Sequence, residues 1–168
     1  QFIISTGWFL VMYRALQRHG GTVEEAGKLA YQASAAYLRA YPPFLRRLFG
    51  RRTFSRRYVA RVRQRAAESQ QRQYPGDYVY NFVEGDGQTF DYGVDYVECA
   101  SVKFLQQQGA PELAPYLCAA DKLYSEMLGW GLQRTMTLAE GADRCDFRFR
   151  RGGETRVAIP EALRGLEA

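Results

Sequence analysis

The chain has 168 residues, a formal net charge of +5 and 46% hydrophobic residues, 14% being aromatic. This supports one domain with one sizeable core and excludes a disordered chain. The positive charge, mostly arginine, is compatible with nucleic acid, an anionic membrane or an anionic small substrate, so charge alone does not choose among them.

In chain order, Phe2 to Leu16 reads as a helix: Trp8, Met12, Ala15 and Leu16 repeat at helical spacing, and Gly20-Gly21 ends the segment. Arg14, Arg18 and His19 cut it short of a membrane span, and His19 suits the last carbonyls of the helix. It lacks a basic leader and a cleavage site, so it does not read as a signal peptide. The chain begins at Gln1, which implies a natural start further upstream. Thr22 and Glu25 make a capping box for a second helix that runs to about Tyr41. Its apolar stripe is Ala26, Leu29, Ala30, Ala33, Tyr37 and Leu38, and Pro42-Pro43 stops it. Phe44 to Gly50 predicts a short helix, and Thr53 to Arg72 a longer one rich in arginine.

Tyr74-Pro75-Gly76-Asp77 is a turn, after which Tyr78, Tyr80 and Phe82 alternate with Val79, Asn81 and Val83 as in a strand. Gly85-Asp86-Gly87 turns the chain toward a partner strand over Thr89 to Val94. Tyr96 to Gln108 predicts a helix closed by Gly109, and Pro111-Glu112 opens another that ends near Gly129. Leu132 to Leu138 and Cys145 to Arg150 predict a hairpin around Glu140-Gly141-Ala142-Asp143. The tail is polar, with Pro160 opening a last helical turn. With no repeat and no linker, residues 1–168 read as one α+β domain, a helical N-terminal half packed on a small antiparallel sheet.

The chemistry concentrates in the last third. Leu113, Leu117, Ala120, Tyr124 and Leu128 form an apolar stripe, and Asp121 falls inside it with Cys118 at its edge, one turn away. A carboxylate so placed needs a cation or donors to pair with. In the hairpin Cys145, Phe147 and Phe149 share a face; a four-residue loop sets Leu138 opposite Cys145, Met136 opposite Phe147 and Arg134 opposite Phe149. Arg134 then points inward, toward Asp121 or an anionic ligand, or else snorkels at the sheet end. Cys99, Cys118 and Cys145 show no spacing of a disulfide framework or zinc site, and the only histidine is His19, so free thiols in a cytoplasmic protein and no metal are expected. A thiolate helped by a nearby arginine would be a strong nucleophile, with Asp121 as the proton carrier. Tyr96 and Cys99 are placed to reach the same pocket. The arginine-rich helix carries no helix-turn-helix or RNP-type motif and reads as a solvated face rather than a nucleic-acid surface. No cofactor or oligomeric state follows from the residues.

The order Tyr96-Val97-Glu98-Cys99, Gly109-Ala110-Pro111-Glu112-Leu113, Cys118-Ala119-Ala120-Asp121, Arg134-Thr135-Met136-Thr137-Leu138-Ala139, Gly141 and Cys145-Asp146-Phe147-Arg148-Phe149 resembles the L-2-amino-thiazoline-4-carboxylic acid hydrolase family. Tyr13-Arg14-Ala15-Leu16 and Glu24-Glu25-Ala26 resemble its helical first half. The resemblance implies a hydrolase that attacks the amidine-like carbon of a small anionic heterocycle and opens a C–N bond. It also implies recurrent positions at Cys99, Cys118, Asp121, Gly141 and Cys145. The C-terminal half is similar as well to four-vinyl-reductase-type small-molecule-binding domains, which implies a non-enzymatic sensor as the alternative.

Overall fold

The computed structural model describes residues 2–166. Helix α1 (Phe2–Arg18) is followed by α2 (Val23–Arg39), where Thr22 accepts the Glu25 N–H and Glu25 accepts the Thr22 N–H, the expected capping box. Pro42 precedes α3 (Pro43–Arg52), and Ser55 caps α4 (Arg56–Ser69) by accepting the Tyr58 N–H. Strands β1 (Val79–Glu84) and β2 (Tyr92–Glu98) then lead into α5 (Ala100–Gln107). A 3-10 turn (Pro111–Leu113), α6 (Ala114–Cys118) and α7 (Ala120–Leu128) come next, then β3 (Leu132–Arg134), β4 (Cys145–Phe149) and β5 (Arg156–Val157). Among the described residues no helix is long and apolar enough to cross a membrane.

The α+β class holds, but the sheet is mixed. Its order is β1-β2-β4-β3-β5, antiparallel except for β3 with β5. A two-residue strand in a polar tail is too short to show a period, which is why β5 escapes a reading of the sequence. Tyr96, Val97 and Glu98 belong to β2 and not to a helix. Three large residues in a row suited either state, and pairing decides it: Tyr96 lies opposite Tyr80 of β1 and Cys145 of β4, and Glu98 opposite Val79 of β1. The predicted strand from Leu132 to Leu138 stops at Arg134, because Asp146 captures the Thr135 and Met136 N–H groups at 2.8 and 2.9 Å, so β4 no longer pairs with them. The hairpin register is accordingly Leu132 opposite Phe149, two residues from the expected one. A two-residue slip keeps each side chain on its face, so Arg134 still points inward.

The helices bury narrower stripes than their periodicity suggests. Thr6, Leu10 and Tyr13 form the inner face of α1, while Trp8 lies outside it, 72% exposed. On α2 the buried set is Ala26, Gly27, Ala30, Tyr31, Ala35 and Leu38, and Leu29 and Tyr37 face outward. Two clusters result. One joins α1 and α5 to the 3-10 turn through Leu10, Tyr13, Leu105 and Leu113. The other joins α2 and α7 to the tail through Tyr31, Leu38, Leu123 and Leu163. The arginine-rich α4 lies on β1, where Arg63 pairs with Glu84 at 2.7 Å and stands 4.8 Å from the Phe82 ring centre.

Helices α3 and α7 touch at Gly50. A Cβ built there would lie 1.7 Å from the Leu128 carbonyl oxygen, backbone that cannot swing aside. Gly50→Ala is therefore expected to cost about 1–3 kcal/mol by overpacking. At about 2–4 °C of Tm per kcal/mol for a chain of this size, a thermal melt resolves the loss. An unchanged Tm would show that the two helices separate freely.

Candidate active site

Prolines shape the segment that carries the site. Pro111 opens the 3-10 turn and Pro115 lies in the first turn of α6, where its missing N–H has no helical partner to lose. The expected single helix from Pro111 to Leu128 is thus three pieces. At the joint, Ala119 keeps helical angles (φ −63°, ψ −23°), but the Lys122 N–H reaches back only three residues, to the Ala119 carbonyl at 3.1 Å. Cys118 ends α6 and Asp121 lies in the first turn of α7, so the two remain about one turn apart.

Arg134 ties this joint to the sheet. Its Nη1 donates to the Asp121 carboxylate and, at 3.1 Å, to the Cys118 carbonyl. Its Nη2 donates to the Ala158 carbonyl at 3.4 Å, and the guanidinium stands 5.7 Å from the centre of the Phe147 ring. The Arg134 side chain is only 4% exposed, whereas Asp121 keeps 32%. The cation is therefore committed inside the protein, and the carboxylate is the more exposed member of the pair.

The other residues singled out from the sequence surround this pair. Tyr96 lies opposite Cys145 in the β2–β4 register, its ring 5.4 Å from that of Phe147 and 5.0 Å from that of Tyr80. Cys99 precedes α5, and Cys145 is buried, its Sγ accepting the Leu138 N–H at 3.2 Å. The charge of Asp121 acts on Cys99, Cys118, Cys145 and Tyr96, and that of Arg134 on Cys118 and Cys145. All six residues thus share one electrostatic neighbourhood. Among the described residues, no group of three or more His, Cys, Asp or Glu is placed to hold a metal ion.

Burial dominates the proton affinities. It pushes the Asp121 carboxyl up, Arg134 pulls it back, and the balance leaves it at about 6. The Cys118 thiol is pushed far up by burial and then by Asp121, and Arg134 only partly opposes this. Burial takes Cys145 to about 11 against the Leu138 N–H, and it also raises Cys99. The thiols are therefore protonated at neutral pH. Burial outweighs the lowering that Arg134 exerts on Cys118 and Cys145, so the neighbouring arginine does not hold either as a thiolate.

Tyr78 is not evident as a neighbour from the sequence. Its hydroxyl is 2.9 Å from Ser101 Oγ, which is 2.8 Å from Thr6 Oγ1, and burial raises its proton affinity. The alternation of Tyr78 with Tyr80 and Phe82 was the available signal.

These features define an α+β domain with a protonatable carboxylate, braced by a buried guanidinium and ringed by thiols, at a helix–sheet junction. The chain belongs to the L-2-amino-thiazoline-4-carboxylic acid hydrolase family, which matches residues 1–149 of its 168. No curated protein and no solved structure gives a match to it.

Proposed function

We propose that the protein hydrolyses a C–N bond in a small amino-thiazoline-like cyclic amidine carboxylate, with Cys118 as the nucleophile and Asp121 as the proton carrier. The observation that supports this best is the Asp121 carboxylate, half-titrated at about pH 6 and one turn from the Cys118 thiol, in a chain of this family. A group with that affinity can both take and return a proton near neutrality. Cys118 is favoured over Cys145 because it lies one turn from Asp121, whereas the Cys145 sulfur already accepts a backbone N–H.

In this reading the Cys118 S–H proton passes to Asp121 as sulfur bonds to the amidine carbon, and the C=N electron pair moves onto the ring nitrogen. Asp121 returns the proton to that nitrogen; as the ring C–N bond breaks, the exocyclic nitrogen forms a C=N bond to the carbon and gives up a proton, which the departing ring nitrogen takes to leave as a neutral amine. Water then adds to the carbon, its proton passing through Asp121 to the nitrogen of the C=N bond. The carbonyl forms as the Cys118 sulfur leaves with the hydroxyl proton, and the thiol is restored. When Asp121 is protonated, Arg134 loses its counter-charge. Its field then favours the substrate carboxylate and any negative charge developing on the ring. Tyr96 and Cys99 wall the bound ring.

The test is ring opening of L-2-amino-thiazoline-4-carboxylate by Cys118→Ser and Cys145→Ser, with intact-mass detection of a covalent adduct on the wild type. Cys118→Ser should lose at least about 100-fold in kcat, while Cys145→Ser keeps most of it. Full activity in Cys118→Ser would remove the covalent step. Binding without turnover by the wild type would instead make this a ligand-binding domain.

A further inference from the structure

At the far end of α7, about 10 Å along the axis from Asp121, two recesses share Leu128 as a common wall. The smaller, about 200 Å³, is lined by Tyr37, Leu38, Tyr41, Arg46 and Phe49. Its aromatic rings meet edge to face, Tyr37 with Tyr41 at 5.5 Å and Tyr41 with Phe49 at 6.2 Å. The larger, about 490 Å³, is lined by Arg47 and Arg51 from α3, by Arg151 and Gly152 from the turn after β4, and by Gly129. Gly152 donates its N–H to the Gly129 carbonyl at 3.1 Å, which pins that turn against the end of α7.

The cations there lack partners. Among the described residues, the Arg47, Arg51 and Arg151 side chains have no hydrogen bond or ion pair within the protein. The carboxylate bonded to this turn, Asp91, takes the backbone N–H of Arg151 at 2.7 Å and not its guanidinium. Arg46 Nε is buried and without a hydrogen-bond partner beside the smaller recess. Arg51 suits the negative end of α3, but a helix dipole does not fill the five donors of a guanidinium. Three such forks around one groove match the oxygens of a phosphate group, and the adjoining aromatic recess matches an apolar or flat body.

We propose that the two recesses on either side of Leu128 bind a phosphate-bearing small molecule, its phosphate among Arg47, Arg51 and Arg151 and its apolar or aromatic part against Tyr41 and Phe49. This site is separate from the reaction proposed above. The probes are ADP, inorganic pyrophosphate, and vesicles of phosphatidylglycerol or phosphatidylcholine, each titrated into the full chain at low salt. Arg47→Gln/Arg51→Gln should weaken phosphate-dependent binding at least tenfold. Arg57→Gln/Arg61→Gln on α4 removes the same charge where neither residue lines either of these two recesses, and should change it less than threefold. Phe49→Ala should weaken ADP more than pyrophosphate. Binding of ADP identifies a soluble ligand, and selective binding of phosphatidylglycerol vesicles identifies a lipid headgroup; either supports the site if it depends on Arg47 and Arg51. Equal losses in both double variants would overturn it in favour of diffuse surface charge, as would no binding of any probe.

Discussion

Asp121→Asn should lower ring-opening kcat by about 10²–10⁴, the usual worth of a positioned proton carrier, with little change in the folded state. The amide keeps the shape of the carboxylate and can still accept from Arg134, but it cannot take up a proton. In the wild type the carboxylate must be ionised to accept the first proton. The rate should therefore fall on the acid side through about pH 6, approaching tenfold per pH unit below it. The acid limb should vanish from whatever residual activity Asp121→Asn retains. A wild-type profile flat between pH 5 and 8, or an active Asp121→Asn enzyme, would remove this residue from the chemistry. The same shift bears on stability. A carboxyl raised from 3.8 to about 6 binds its proton more tightly in the folded chain than in the unfolded one. Its ionisation therefore costs stability above about pH 6, and that cost is relieved as the pH falls from 6 toward 4.

Arg134→Met should cost about 3–5 kcal/mol at pH 7.5, as expected when one partner of a buried ion pair is removed. Three acceptors lose their donor together: the Asp121 carboxylate and the Cys118 and Ala158 carbonyls. Without the guanidinium nothing among its resolved influences holds the Asp121 proton affinity down, so the carboxyl rises further and is largely neutral in the variant. The deficit should then narrow in urea melts at pH 5, where Asp121 is protonated in both proteins. A second change, Asp121→Leu, should recover part of the loss by removing the stranded acid. Equal urea midpoints for Arg134→Met and the wild type at pH 7.5 would show that the pair has no structural weight.

Much of the helical half was legible because local signals agree there. Thr22 with Glu25, Gly20-Gly21 and Pro42-Pro43 mark ends that need no tertiary knowledge. The inward turn of Arg134 was also legible, even with the register misplaced, because strand faces repeat every two residues. What stayed hidden depends on contacts distant in sequence. Nothing local says that Asp146 takes two N–H groups from the neighbouring strand and halts it at Arg134. Nor does any local pattern show that Ala158 would steady the central guanidinium. The proton affinities of the thiols stayed hidden for a related reason: they depend on burial and on which charge lies nearer, and periodicity reports neither.

The family match stops at residue 149, yet the polypeptide beyond it is structural. Arg156 and Val157 add the parallel edge strand, Ala158 helps hold the cation under Asp121, and Leu163 is wholly enclosed between α2 and α7. The tail behaves like a clasp: it closes over the core from outside the shared region and helps hold the guanidinium that Asp121 meets. Substitutions in a stretch that looks dispensable by homology would therefore reach the Arg134–Asp121 pair through Ala158 without touching the carboxylate.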